Sequence, residues 1–92
     1  MANEPPVIWI GGTLSQVDTD RLQVRDSLGT LITVRRLGAG ATAFFSVSGA
    51  QWRRLADTAA IEPGGLACVE TLMDGLNLLA LRVFLGASCG PA

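Results

Sequence analysis

The chain contains no histidine, no tyrosine and no lysine; all seven of its cations are arginine. Without histidine the commonest general base near neutral pH is missing, and with it every Ser-His-Asp or Cys-His nucleophile pair. Lysine and tyrosine bases are missing too. The remaining acid–base candidates, Asp18, Asp20 and Asp26, fall in stretches that read as hairpin turns, where acidic residues serve turn geometry. Catalysis is not expected. Two cysteines with no histidine and no C-x-x-C pair supply too few clustered ligands for a metal, so no cofactor is expected either. "GAGA" at 38–41 lacks a phosphate-loop lysine and the G-x-G-x-x-G spacing, and "DTD" at 18–20 lacks the ligand series of a calcium loop. No apolar run approaches the ~18 residues of a membrane span. "MANEPPVIW" does not have the basic-then-apolar order of an export signal.

What is present suits a small packed core. Of 92 residues 49% are hydrophobic and 16% charged, with a net charge of −1 and a mean hydropathy of +0.40. That composition is too apolar for disorder. A chain this short supports one domain, which buries roughly 60–65% of its unfolded surface. The expected layout is a polar leader over 1–6, a β domain over 7–86 and a tail over 87–92. A near-zero charge gives no global field toward nucleic acid or an anionic bilayer. Arginine without lysine, beside abundant alanine, glycine and leucine, reads as coding bias rather than phosphate recognition.

Apolar residues alternate with period two through the first half. In "VIWIGGTLSQV", Ile8, Ile10 and Leu14 share one side, and Trp9, Thr13, Ser15 and Val17 the other. Gly11-Gly12 inside a strand pattern suggests a bend at a barrel corner. "LQVRD" and "TLITVRRL" come next, separated by the turn "DSLG", so three strands form a meander. "TAFFSV" reads as a fourth strand. From Ser48 the period changes: Ser48 and Gln51 have capping-box spacing, and Trp52, Leu55, Ala56 and Ala59 recur at helical intervals, predicting a short helix over 49–59.

"LACVETLM" and "NLLALRVFL" flank Asp74-Gly75, a hairpin signal. A three-residue loop, Asp74 to Leu76, is expected because it keeps Glu70 away from leucine and diagonal to Arg82. Cys68 then lies opposite Arg82. Were the last strand to run on, Cys89 would be about 23 Å from Cys68, far beyond disulfide reach. The segment "GASCGP" can turn the chain back, so a Cys68–Cys89 bridge competes with two unrelated thiols. A bridge implies an oxidising compartment, cell envelope or exterior; free thiols leave the cytoplasm open.

A three-stranded meander, an intervening helix and a closing hairpin resemble the OB-fold in their order. The resemblance implies an all-β, five- or six-stranded antiparallel barrel with one short helix before the C-terminal hairpin. It names no function. Two functions remain in contention. The first is a non-catalytic binding or assembly module, engaging a protein partner or a second copy through an edge strand or an apolar outer patch that includes Trp9, Phe44 and Phe84. The second is weak single-stranded nucleic-acid binding on a face built from Arg25, Arg35, Arg36 and Phe44, where cations and stacking aromatics are needed together.

Overall fold

The structure is a computed structural model and describes residues 7–38, 41–56 and 61–89. Seven strands account for its regular structure: β1 (Val7–Val17), β2 (Arg21–Arg25), β3 (Leu31–Arg36), β4 (Ala43–Ser48), β5 (Gln51–Arg54), β6 (Leu66–Asp74) and β7 (Asn77–Leu85). They hydrogen-bond in the order β3-β2-β1-β6-β7-β4-β5. β3 also meets β7 in parallel, Arg35 beside Leu79 and Arg36 beside Ala80, so β1, β2, β3, β7 and β6 close a ring. β4 continues along the same side of β7, with Ala43–Ser46 beside Arg82–Leu85, and β5 pairs with β4 outside the ring. The fold is an OB-like barrel with an added hairpin. Seven strands replace the five or six expected, and no helix occurs among the described residues.

The alternating apolar residues fill the ring. Leu14, Leu22, Val24, Val34, Phe44, Ala67, Val69, Ala80 and Val83 form the core cluster. Two threonines are buried with them, each with its hydroxyl used: Thr71 donates to the Ile8 carbonyl at 2.6 Å, and Thr42 donates to the Ala80 carbonyl at 2.8 Å. A buried hydroxyl left unbonded would cost about 1–3 kcal/mol. Of the acidic turn residues, Asp26 serves local geometry. Asp26 Oδ1 accepts from the Leu28 and Thr30 amides, both at 2.9 Å.

β1 serves two neighbours in succession: Val7–Thr13 pairs with β6, and Thr13–Val17 with β2. At the changeover the backbones nearly touch, since a Cβ on Gly12 would lie 2.1 Å from the Arg25 carbonyl oxygen. A register shift between Leu14 and Gln16 leaves Ser15 as an extra residue. The bulge reverses the alternation, so Val17, expected on the outer side with Trp9, packs against the core instead.

The helix over 49–59 is a correction. Ser48 pairs with Gln51 around a two-residue Gly49-Ala50 turn in which Gly49 has φ 61°, and β5 then runs antiparallel to β4. Glycine adopts that left-handed conformation without a Cβ penalty. The Leu55 amide extends the pairing by donating to the Phe44 carbonyl at 2.8 Å. Helical spacing was real in the sequence but lost to tertiary pairing, a common override for a short segment. Ala59, the last residue of that spacing, lies outside the described residues.

The β6–β7 register is a second correction. The turn is two residues, Gly75-Leu76, with Asp74 opposite Asn77. Further along, a register shift between Glu70 and Thr71 makes Leu81 the extra residue and places Glu70 directly opposite Arg82. Cys68 consequently faces Phe84, not Arg82. The bulge achieves what the longer loop was expected to achieve, since Glu70 meets a cation. Arg82 Nε and Nη2 donate to the two Glu70 carboxylate oxygens at 2.6 and 2.8 Å.

These donated bonds hold the Glu70 carboxyl below its ordinary 4.5; partial burial opposes this, and the Arg82 charge reinforces it. A carboxylate with a depressed folded value stabilises the fold above its unfolded pKa, and that stabilisation is lost as pH falls through the folded value. Arg82 is half exposed, so solvent screens the pair. Glu70→Gln is therefore expected to cost about 1 kcal/mol near neutral pH. Denaturant melts should show the gap between parent and variant closing below about pH 4.5. A gap that stays constant down to pH ~3 would contradict the pairing.

Candidate interaction surface

On the face of the sheet turned away from the core, β1 contributes Trp9 and Gly11, β6 contributes Cys68 and Glu70, and β7 contributes Arg82 and Phe84. The register sets Trp9 beside Glu70, Glu70 beside Arg82, Gly11 beside Cys68 and Cys68 beside Phe84. β4 extends the second row by placing Phe45 next to Phe84. β5 adds Trp52 opposite Val47. The period-two geometry of five adjacent strands thus gathers four aromatic rings on one surface.

The rings are in contact. Phe45 and Phe84 stack with centroids 5.2 Å apart and planes inclined by 16°. Trp52 stands edge-on to both, 5.0 Å from Phe45 and 6.4 Å from Phe84. Trp9 lies 6.3 Å from Phe84 on the other side. The Arg82 guanidinium carbon sits 5.6 Å from the Phe84 ring centroid. Aromatic pairs in such offset and edge-to-face geometries contribute about 0.5–1.5 kcal/mol each beyond their burial. Phe45 is buried by its neighbours, yet Trp9 remains 49% and Trp52 62% exposed. Arg54, opposite Phe45 on the same face as Trp52, is exposed and gives that end of the patch a cation, whereas Arg53, opposite Ser46, lies on the other face.

A Cys68–Cys89 disulfide with a Cα separation of 5.0 Å ties the C-terminal segment across the same surface. The segment lies over Gly11, where a Cβ would meet the Cys89 Cβ at 2.9 Å. The adjacent glycines that read as one bend thus have two separate tasks: Gly11 makes room for the bridge and Gly12 for the β2 backbone.

Of the residues expected at an interface, Trp9 and Phe84 come together and Phe44 does not. Phe44 is a core residue, 6% exposed, because β4 lays it beside Val83 and turns Phe45 outward. Burial also removes Phe44 from the expected nucleic-acid face. Arg36 packs its guanidinium 4.8 Å from the Phe44 centroid and donates to the Asp18 carbonyl at 2.7 Å. Arg25 and Arg35 are exposed on the outer side of β2 and β3, with Arg25 donating to the Gly29 carbonyl at 3.1 Å. No aromatic side chain lies in either strand. Trp52 and Phe45 were missed as surface residues. The available signal was the Ser-Gly dipeptide at 48–49, which marks a turn and would have continued the chain as a hairpin.

No family model matches the sequence, and no curated protein does. Two solved structures share the fold. One is silver(I)-bound CusF, 11% identical with a TM-score of 0.61, over 88% of this chain and 99% of that one. The other is a tryptophan-to-alanine variant of Escherichia coli CusF with copper(II), also 11% identical with a TM-score of 0.61, over 95% and 100% of the two chains. At that identity the likeness is one of fold, and this chain is an OB-like barrel of the same architecture as CusF.

Proposed function

We propose that this chain is a non-catalytic protein-binding module of an oxidising compartment, exported or held at the cell envelope. Its contact surface is the aromatic face of β1, β7, β4 and β5. The observation that carries this reading is the pair of half-exposed tryptophans at either side of the Phe84–Phe45 stack. Tryptophan and arginine dominate binding hot spots, and rings braced by neighbours lose little entropy when a partner covers them. The Arg54 cation beside Trp52 favours a partner with carboxylates near its apolar anchors. The Cys68–Cys89 bridge supports the compartment, since such bonds persist where thiols are not kept reduced.

Metal carriage, suggested by the silver and copper in the CusF structures, forms no part of the proposal. Silver(I) and copper(I) select thiolate, thioether and imidazole donors. This sequence has no histidine, its two cysteines are bonded to each other, and its only thioethers are those of Met1 and Met73. Nucleic-acid binding through Arg25 and Arg35 lacks its stacking platform on the same strands.

Placing a photo-crosslinking residue at Trp52, and separately at Arg35, in the expressing cells tests the assignment. A discrete protein adduct at position 52 with none at 35 is expected. Trp52→Ala should then weaken the recovered partner by about tenfold or more. Adducts confined to position 35, with protein or with nucleic acid, would overturn it.

A further inference from the structure

Among the described residues the sheet leaves one apolar edge without a strand partner. Over Val7–Gly11 β1 pairs with β6 alone, because β2 joins it from Thr13 onward and the Arg25–Asp26 backbone already closes against Gly12. Alternate residues of an antiparallel strand direct their N–H and C=O groups to opposite sides, so half the backbone groups of this stretch point away from β6. None of the described residues forms a strand pair with that side. Native sheets usually protect such an edge with charge, proline or a short length. The other outlying strand, β5, has two of these: it is four residues long and carries Arg53 and Arg54. The open β1 edge reads Val-Ile-Trp-Ile-Gly and carries no charge. Val7 is 47% and Trp9 49% exposed along it.

We propose that the chain forms a two-fold dimer in which the Val7–Gly11 edge of β1 hydrogen-bonds antiparallel to the same edge of a second copy. The occupant is set by self-complementarity. An antiparallel pairing of one strand with itself is isologous and closes at two copies, whereas β1 against β5 would be head-to-tail and open-ended. The edge is uncharged, so the two copies bring no like charges together. Pro5 and Pro6, which precede Val7 in the sequence, have no N–H to donate. The two β1 strands would bring both copies of Val7 and Trp9 onto one continuous outer surface, covering apolar area that a lone copy leaves in water. The two readings share Trp9 but are distinguishable, since the dimer concerns the backbone edge of β1 and the partner reading is tested at Trp52, at the far end of the face.

Sedimentation equilibrium of the purified non-reduced chain, paired with amide hydrogen exchange, tests it without any other component. A monomer–dimer equilibrium is expected within about 1–500 µM. Alternate amides of Val7–Gly11 should gain about tenfold or more protection between the ends of that range. Val7→Lys and Trp9→Lys should each weaken the dimer by about tenfold or more, while Trp52→Ala leaves it unchanged. The exchange pattern of the unmutated chain stands as evidence even if a lysine variant folds poorly. A strict monomer at about 500 µM overturns the proposal, as does a dimer whose added protection falls on β5 or which Trp52→Ala abolishes.

Discussion

Gly12→Ala is expected to be the most damaging single-methyl change available, costing about 3 kcal/mol or more. The added carbon would lie 2.1 Å from the Arg25 carbonyl oxygen, 2.8 Å from its carbon and 3.0 Å from the Asp26 Cα. All three atoms are backbone, so no side chain can rotate away. Relief requires β1 and β2 to separate where the ring of strands turns its corner, and that opens the ladder holding Leu14, Leu22 and Val24 in the core. In a protein of this size each 1 kcal/mol corresponds to roughly 4–8 °C in Tm. Thermal melts should therefore fall by more than about 12 °C, or the variant should fail to fold. Gly65→Ala is the control, because a Cβ there meets nothing within 4 Å. Equal, small effects at the two positions would contradict the close approach of β1 and β2.

Removing the disulfide should come next in size. The bridge joins positions separated by 21 residues, and closing a loop of that length stabilises by about 3 kcal/mol in the chain-entropy model. The expected loss for the double change Cys68→Ala and Cys89→Ala is of that order. It is a large share of the stability of a small domain, which is typically about 5–15 kcal/mol. Adding reductant to the parent protein should lower its denaturant midpoint similarly and leave the double variant unmoved. Alkylation followed by mass measurement should find no free thiol before reduction and two after. A midpoint indifferent to reductant would show that the bridge contributes nothing to the fold.

Much of the architecture was legible because it rests on local rules. Alternation at Leu22, Val24, Ile32 and Val34, punctuated by "DTDR" and "DSLG", specifies β2 and β3 and their pairing. The need to keep the Glu70 carboxylate from an apolar partner pointed to Arg82 as its companion. Chain length showed that a Cys68–Cys89 bridge requires the tail to turn back at "GASCGP", but left the bridge and two unrelated thiols as alternatives. The features that escaped notice have non-local causes. The bulges at Ser15 and Leu81 leave no mark in composition, yet each inverts the sidedness of the residues beyond it, sending Val17 inward and aligning Glu70 with Arg82. The two adjacent phenylalanines are equivalent by alternation. Only the pairing of β4 with β7, almost forty positions distant, decides that Phe44 enters the core and Phe45 joins the surface cluster. β5 was hidden for the same reason. Trp52, Leu55 and Ala56 have the spacing of a helix, and the rings against which Trp52 stands belong to β4 and β7.

The candidate site was legible only in part for that reason, since Trp9 and Phe84 could be named but not the residues that complete the patch. The binding reading depends on Trp52 standing on the same surface as Phe45 and Phe84. Nuclear Overhauser contacts among the aromatic rings measure this directly. Strong cross-peaks from the Trp52 indole to the Phe45 and Phe84 rings are expected, with antiparallel contacts between residues 45–48 and 51–54. Sequential amide contacts typical of a helix over 50–56, with the Trp52 ring remote from Phe84, would contradict both the hairpin and the surface built on it.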